Sequence, residues 1–172
     1  MQPMTTEQVT GLVMYLINNV NVEHATTRKV LAALPEEQTG FKLGEKGRTA
    51  QELAWHIITT DVWILNSIAN LSFAPGEKAE MPGTVAGMIA WYEAEFSKAL
   101  GRVSAMTPEQ IATPISFHGV LTQPAGLFLG LLTAHQIHHR GQLSTYLRAM
   151  NAHVPAIYGG SADEPFQASA QA

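Results

Sequence analysis

The amino-acid sequence predicts an all-α fold, a four-helix bundle with a long crossover connection before its last helix. Apolar residues recur at steps of three and four through four long segments, which is the period of a helix buried on one side. Polar loops containing glycine or proline separate these segments. No two segments show the alternation of a convincing strand pair. Four amphipathic helices bury their apolar faces by packing together as a bundle.

The first helix is predicted to begin near Thr5, because Thr5 and Gln8 have the spacing of a capping box. It ends at Leu34, before Pro35, and polar residues 35–48 form a loop. Its apolar stripe consists of Val9, Val13, Leu16, Val20, Thr27 and Leu31.

The second and third helices also have clear start signals. The capping box of Thr49 and Glu52 opens the second helix, whose pattern continues to about Phe73. Residues 74–83 form a loop, and the third helix starts at Thr84. Its predicted buried residues are Met88, Tyr92, Phe96 and Val103.

The last third of the chain contains a long connection and the final helix. Residues 107–112 predict one short helical turn with proline at its first position, and residues 113–124 are irregular or extended. The final helix runs from about Gln123 to Met150, with Asn151 as a left-handed cap. Residues 1–172 are predicted to form a single domain, whose tail from about residue 160 is partly flexible.

Composition excludes several classes of function. The formal charge is −4, and the ten lysines and arginines are scattered, so no nucleic-acid-binding surface is expected. The chain has no cysteine, so a metal must take nitrogen or oxygen ligands. The longest apolar run, residues 125–134, is shorter than the roughly 20 residues that cross a membrane. The N-terminus lacks the pattern of a signal peptide, and a soluble cytoplasmic protein is therefore expected.

Three of the seven histidines lie within residues 135–139 of the last helix. At about 100° per residue, His135 and His139 point in the same direction as the apolar Leu131, into the bundle. His138 lies about 60° to one side of His135. Phe128, Gln142 and Tyr146 continue the inward line, whereas the opposite, solvated face holds Thr133, Arg140, Ser144 and Arg148.

Two inward imidazoles at i, i+4 spacing suit a divalent metal, although such a pair also occurs as hydrogen-bonded core residues. The second helix offers His56 as a third ligand. Alone, His56 is better explained as a core histidine bonded to a hydroxyl. Together, three inward histidines favour a metal site. The neighbours that share the side of His56 are Glu52, Thr60, Trp63 and Ser67.

The other histidines are weaker candidates for metal ligands. His24 lies at the edge of the first apolar stripe and can reach the site, but a surface or supporting role is preferred. His138 competes for a ligand position, since His135 and His138 at i, i+3 can also bind a metal. His118 and His153 are expected in solvated or structural positions.

Candidate acid–base groups near the metal are Glu52, His24 and Tyr146. Glu52 also has a structural duty in its capping box, which is the preferred interpretation. Tyr146 and Gln142 either orient a substrate or satisfy buried polar groups, and Trp63 lines a pocket or the core. Gln136 follows His135, so the metalloprotease motif H-E-x-x-H is absent. For Arg140, a structural ion pair or a tail contact is expected.

Three segments, "LAWHIITTDVW", "HQIHHRGQLSTYLRAMN" and "VPAIYGGSADE", resemble the DinB/YfiT-like family of metal-dependent enzymes. The resemblance implies a four-helix bundle with a crossed connection. It also implies a divalent metal, often nickel or zinc, held by His56, His135 and His139, with water or substrate completing the shell. Relatives are frequently homodimers, and some are transferases or isomerases that depend on a low-molecular-weight thiol.

Two functions from different classes follow. The first is a metal-dependent enzyme that acts on a small molecule by hydrolysis or thiol transfer. The alternative is a non-catalytic, metal-binding or metal-stabilised bundle with a structural or stress-related role. A bundle whose histidines only form hydrogen bonds is the third interpretation. Three helix-borne ligands without an evident fourth favour an open coordination position, and therefore the enzyme.

Overall fold

The computed structural model describes residues 4–166, which form a helical bundle with one small hairpin. The predicted all-α bundle is therefore confirmed, with a two-stranded sheet added. Residues 167–172, which belong to the tail predicted to be flexible, lie outside the described range. The helices are α1 (Thr6–Ala32), α2 (Ala50–Ala69), α3 (Val85–Ser104), α4 (Pro108–Ala112) and α5 (Phe128–Ala149), and the strands are β1 (Pro114–Phe117) and β2 (Leu121–Pro124).

The predicted starts of α1, α2, α3 and α4 are confirmed. Thr5, Thr49 and Thr107 each cap a helix through a reciprocal capping box with the residue three positions later. Thr84 caps α3 by accepting a hydrogen bond from the amide of Gly87. These side chains satisfy amide groups that have no partner within the first turn of a helix.

The four long helices pack in a square. Helix α2 packs against α3 and α5, and α1 packs against the same two helices from the opposite corner. Paired contacts show that α1 and α5 run in one direction, whereas α2 and α3 run in the other. The pairs are Asn19 with Thr133 and Glu23 with Arg140 for α1–α5, His24 with Phe96 and Arg28 with Glu93 for α1–α3, and His56 with His139 and Asp61 with His135 for α2–α5.

This arrangement requires two long connections. Because α2 and α3 are parallel neighbours, residues 70–84 return along the length of the bundle. Because α3 and α5 occupy opposite corners, residues 105–127 cross the end of the bundle and carry α4 and the hairpin. The predicted crossover before the last helix is therefore confirmed.

The prediction of no strand pair was wrong. Strands β1 and β2 pair antiparallel, and Ile115 lies opposite Gln123. His118 and Gly119 make the tight turn between them with positive φ angles of 50° and 72°. Since Gln123 and Pro124 belong to β2, α5 begins at Phe128 rather than at the predicted Gln123.

Left-handed residues end two of the helices. Leu71, with a φ of 56°, stops α2 at Ala69, short of the predicted Phe73. Asn151, with a φ of 55°, follows α5 as predicted. In both cases the next amide reaches back to an orphan carbonyl, from Ser72 to Ser67 and from Ala152 to Leu147.

The buried core contains most of the predicted apolar positions and a few polar groups. Met88, Tyr92, Phe96 and Val103 of α3 are all buried, as predicted. Of the predicted α1 stripe, only Leu16 is partly exposed. The buried polar and charged residues are Glu23, Thr27, Asp61, Ser67, Gln136 and Arg140.

The placement of Arg140 on a solvated face was wrong, because that side of α5 packs against α1. Arg140 is 1% exposed, and its guanidinium lies 2.6 Å from the Glu23 carboxylate. It also donates to the hydroxyl of Tyr158 in the tail. The predicted structural ion pair and tail contact are therefore confirmed.

The tail is attached to the ends of α1 and α5 up to Glu164. Arg148 pairs with Asp163, and Lys29 pairs with Glu164 at 2.6 Å. The Glu164 carboxylate also accepts from the amide of Ala156 and contacts the ring of His153. Within residues 4–166, no helix has the length and apolarity needed to span a bilayer.

Candidate metal centre

Three histidines from two antiparallel helices meet at the edge of the bundle. His56 comes from α2, whereas His135 and His139 lie one turn apart on α5. One ring nitrogen of each residue lies within 4.8 Å of the others. The Nε2 atoms of His56 and His139 are 3.2 Å apart.

The outer nitrogen of each ring is held by another side chain. Nδ1 of His135 lies 2.8 Å from the Asp61 carboxylate, and Nδ1 of His139 lies 2.9 Å from the Gln142 amide oxygen. Because these oxygens can only accept, both Nδ1 atoms carry the proton and both Nε2 atoms keep a free lone pair. Nδ1 of His56 forms a hydrogen bond with the hydroxyl of Thr60, at a distance of 3.2 Å.

The inner nitrogens fit a divalent cation. Nε2 of His135 is buried and has no hydrogen-bond partner among the described residues. Two ligand nitrogens on a tetrahedral zinc lie about 3.3 Å apart, given Zn–N bonds of about 2.0–2.1 Å. The 3.2 Å distance between the Nε2 atoms of His56 and His139 agrees with that spacing. A ligand histidine whose other nitrogen is fixed by a carboxylate or carbonyl is a common feature of metal sites.

Burial favours the neutral form of His56 and of His139. Desolvation, and then the positive charge of Arg48, lowers the pKa of His56 to about 4, with smaller contributions from His139 and His135. Desolvation also lowers the pKa of His139. Neutral imidazole is the form that binds a metal, so these two rings do not need to lose a proton near neutral pH.

Asp61 is the site residue that sequence reasoning missed. Its side chain is fully buried, and its second oxygen accepts a 2.5 Å hydrogen bond from Tyr92. Gln136 in turn donates to the Tyr92 oxygen at 3.3 Å. Burial, followed by the Asp61 charge, raises the pKa of Tyr92, which therefore stays a donor. The sequence signal was a carboxylate on the same helical stripe as Ile57 and Leu65.

Two of the acid–base candidates have structural partners in the described residues. Glu52 is exposed, and its carboxylate accepts from the amide of Thr49 at 2.7 Å, which confirms its predicted capping role. The hydroxyl of Tyr146 donates to the carbonyl of Arg48 at 3.0 Å. The Tyr146 ring also contacts Phe41, so this residue anchors the loop before α2.

His24 lies between α1 and α3 rather than on the surface. Its ring stacks on Phe96 with centroids 3.9 Å apart, and its edge meets Tyr92 at 4.6 Å. Burial lowers its pKa, whereas the negative charges of Glu93 and Asp61 act in the opposite direction and raise it. His24 therefore contacts the Asp61 network through Tyr92.

The remaining histidines are exposed. His138 packs the edge of its ring against His139, with centroids 4.7 Å apart. His118, at the hairpin turn, stacks over Trp63. His153 contacts Glu164 of the tail.

A groove of about 1100 Å³ lies next to the histidine cluster, on the outer side of α2 and α3. Its walls include the tryptophans Trp55, Trp63 and Trp91, which are all the tryptophans of the chain. Thr60 also lines it, and the same Thr60 hydroxyl bonds His56. Thr60 therefore contacts both the groove and the histidine cluster.

The fold and the cluster define a class of protein, a crossed four-helix bundle with a three-histidine candidate metal centre. The model of the DinB family matches residues 4–168, and the chain belongs to that family.

Similar proteins agree with this assignment. The chain is 29% identical over 153 residues to the uncharacterised protein YrdA of Bacillus subtilis (strain 168), covering 87% of this chain and 90% of YrdA. A crystal structure of a DinB-like protein from Bacillus cereus is 26% identical with a TM-score of 0.71, covering 83% of this chain and 95% of that one. The DinB-like protein YjoA from B. subtilis, 20% identical, has the same fold with a TM-score of 0.70, covering 83% of this chain and 97% of YjoA.

Proposed function

We propose that His56, His135 and His139 bind one divalent cation through their Nε2 atoms, and that the protein is a metal-dependent enzyme acting on a small molecule. The observation that carries the proposal is the shared orientation of the rings. Asp61 and Gln142 hold the Nδ1 atoms of His135 and His139, so that the free lone pairs of both rings lie on the side of His56. Imidazole nitrogen suits zinc and nickel, the two metals expected for this site.

The site favours an open coordination position. Three ligands leave at least one position of a tetrahedral shell for water or substrate. All three histidines are partly exposed, and the side chain of His135 retains 12% of its accessible surface. Solvent therefore reaches part of each ring, while Nε2 of His135 itself is buried.

The cation and the protein side chains would have different roles in the reaction. A bound divalent cation would supply Lewis acidity, which assists hydrolysis of an ester or amide and stabilises a thiolate for transfer. Asp61 and Gln142 would fix the ligand rings, and the groove beside Thr60 and Trp63 would hold the body of the substrate. A low-molecular-weight thiol is the co-substrate expected for the transfer reaction.

Metal analysis of untagged protein tests the proposal, since a histidine tag would itself bind nickel. We expect about one zinc or nickel per chain, and loss of that metal in each of His56→Ala, His135→Ala and His139→Ala. His138→Ala is the matched control, because His138 is on the same helix but exposed, and it should keep the metal.

Turnover of activated esters and of thiol acceptors should then require the metal and disappear in the same three variants. Full metal content in His56→Ala would rule out the proposed ligand set. Retained metal without turnover on any substrate of these classes would favour the non-catalytic alternative.

A further inference from the structure

The groove on the outer side of α2 and α3 has a polar end that lies away from the histidine cluster. Three of its lining residues form a group there, with Asn66 and Asn70 one turn apart at the end of α2 and Arg102 in the last turn of α3. Arg102 donates to the side-chain oxygen of Asn66 at 2.7 Å and to that of Asn70 at 2.6 Å. We call these three residues the Arg102 cluster.

The Arg102 cluster presents hydrogen-bond donors to the groove. An asparagine side chain has one oxygen acceptor and one NH2 donor group, whereas a guanidinium has only N–H donors. Because each amide oxygen already accepts from Arg102, the NH2 groups of Asn66 and Asn70 and the other N–H groups of Arg102 are left for a ligand. Both amides are uncharged, so they do not neutralise the guanidinium. Such a cluster suits an anionic oxygen.

The charged side chains of the groove favour a ligand with one negative charge. The positive lining residues are Lys78, Lys98 and Arg102, and the negative ones are Glu77 and Glu95. Three positive and two negative groups leave a net charge of +1, in a chain whose net charge is −4. A carboxylate matches that charge, and its two oxygens fit the planar guanidinium. A phosphate monoester carries a second negative charge, which the two glutamates would repel.

The walls of the groove between its two ends are largely aromatic. Trp55 and Trp91 contact each other with ring centroids 4.9 Å apart, and Trp63 lies one turn before Asn66 on α2. The indole N–H of Trp63 donates to the carbonyl of Ala74 at 2.8 Å, which holds the loop after α2 against the groove. All three tryptophans are partly exposed, so they offer surface to an apolar or aromatic ligand.

The helical rise of α2 sets the length of a ligand that could reach both ends of the site. Asn66 follows Thr60 by six residues and His56 by ten, which corresponds to about 9 Å and about 15 Å along the helix axis. Thr60 lines the groove and bonds His56. A molecule anchored at the Arg102 cluster therefore reaches Thr60 when its body is about 9 Å long.

We propose that the groove binds an elongated small-molecule carboxylate. Its carboxylate lies on the Arg102 cluster, and its apolar or aromatic body extends along the tryptophans toward Thr60. The binding does not need the metal. The inference rests on the proposed function only in that the bound molecule is the substrate, whose opposite end then lies beside the three histidines.

A fluorescence titration of metal-free protein tests the proposal, because all three tryptophans of the chain line the groove. The probe is phenylbutyrate, a carboxylate with a phenyl ring at the far end of its chain. Wild type should show a saturable change in tryptophan emission. The dissociation constant should rise about 10- to 100-fold in Arg102→Gln, the usual effect of losing hydrogen bonds to a charged group. The uncharged amide of the probe should bind weakly and equally to both proteins.

Arg28→Gln is the matched control. It removes the same charge from an exposed ion pair between Arg28 and Glu93, and neither residue lines the groove. Its affinity for phenylbutyrate should equal that of wild type. Phenylpropyl phosphate, a dianion of similar length, should bind wild type more weakly than phenylbutyrate does.

Asn66→Asp is a second variant, and it keeps the shape of the Arg102 cluster. The new carboxylate neutralises Arg102 at the distance where the amide oxygen now lies, so phenylbutyrate should bind more weakly although Arg102 is present. Equal affinity for phenylbutyrate in wild type and Arg102→Gln, equal affinity of wild type for the acid and its amide, or tighter binding of the phosphate would overturn the proposal.

His139→Ala separates this proposal from the proposed function. The variant should lose the metal and any turnover but keep the wild-type affinity for phenylbutyrate, since His139 does not line the groove. Metal-dependent turnover together with binding that ignores Arg102 would remove only the carboxylate site. Binding that depends on Arg102 in a protein that takes up no metal would support the carboxylate site and remove only the metal-dependent enzyme.

Discussion

Asp61 links the candidate metal centre to the core through one carboxylate. One oxygen accepts a hydrogen bond from Nδ1 of His135, and the other accepts a hydrogen bond from the hydroxyl of Tyr92. Both carboxylate oxygens are therefore hydrogen-bonded. A fully buried carboxylate is costly unless such bonds compensate for lost hydration. We infer that Asp61 serves to orient the His135 ring, because an apolar residue would fill the same space without this cost.

Asp61→Asn should weaken metal binding by about 10- to 100-fold, the usual effect of losing a partner that orients a ligand. The amide has the same shape, but it lacks the charge that holds the proton on Nδ1 of His135. Competition with a chromophoric chelator, using zinc, measures the change.

Thr59→Ala is the control, since among the described residues the Thr59 hydroxyl donates to the carbonyl of Trp55 on its own helix and to no histidine. Wild-type zinc affinity in Asp61→Asn would show that the carboxylate does not support the ligand.

The three clustered histidines could be predicted from sequence, but their supporting partners were only partly accessible. Helical spacing places His135 and His139 on one face, and an inward His56 follows from its apolar neighbours. Spacing along one helix cannot show which side chain of α2 meets which ring of α5. Asp61 therefore became evident only when the antiparallel packing of α2 and α5 was known.

At the scale of elements, a buried ion pair joins α1, α5 and the tail. The guanidinium of Arg140 contacts both the side-chain carboxylate and the backbone carbonyl of Glu23. It also contacts the hydroxyl of Thr27. Tyr158 completes the group by donating to Glu23 at 2.7 Å. Four groups from two segments, α1 and the tail, thus depend on one guanidinium of α5.

Arg140→Met should reduce the free energy of unfolding by about 3–5 kcal/mol, because it leaves the Glu23 carboxylate buried without its counter-ion. The double variant Glu23→Leu/Arg140→Met should recover most of that loss, since it removes both charges. Urea unfolding of the wild type, the two single variants and the double variant measures the coupling. If the effects of the two single variants simply add, the pair contributes no coupling energy.

The starts of α1, α2, α3 and α4 were predicted well, whereas the hairpin and the start of α5 were not, for a physical reason. A capping box involves residues three positions apart, so Thr5 and Thr49 carry their signal locally, as does the proline at the first position of α4. Strands β1 and β2 span four residues each, and only Ile115 of β1 is buried. An alternating pattern this short is not distinguishable from a loop, and the pairing becomes visible only between segments.

The projection of α5 failed for a similar reason. A simple helical projection assigns one buried face to each helix. A helix at the corner of a square bundle packs against two neighbouring helices and is therefore buried on two sides. The histidines of α5 lie on the side that packs against α2, and Arg140 lies on the side that packs against α1. A helix that packs against two neighbours therefore hides residues that a single-face projection assigns to solvent.

At the scale of the whole molecule, protonation of a core histidine opposes folding. The ring of His24 lies between Tyr92 and Phe96, and its Nε2 has no hydrogen-bond partner among the described residues. Desolvation lowers its pKa below 6.5, and Arg28 adds to this, while Glu93 and Asp61 oppose it. The folded chain therefore keeps His24 neutral at a pH where the unfolded chain protonates it.

The stability contributed by neutral His24 is fully present above about pH 6.5 and is lost as the pH falls toward its lower folded-state pKa. Wild type should therefore lose free energy of unfolding between about pH 7 and pH 5 more steeply than His24→Leu does. Urea unfolding of metal-free protein at several pH values measures both curves, and the other histidines cancel in their difference. His118→Asn is the control, since His118 is exposed and asparagine tolerates its positive φ, and its curve should run parallel to that of wild type. A His24→Leu curve parallel to wild type would show that His24 is protonated equally in the folded and unfolded chain.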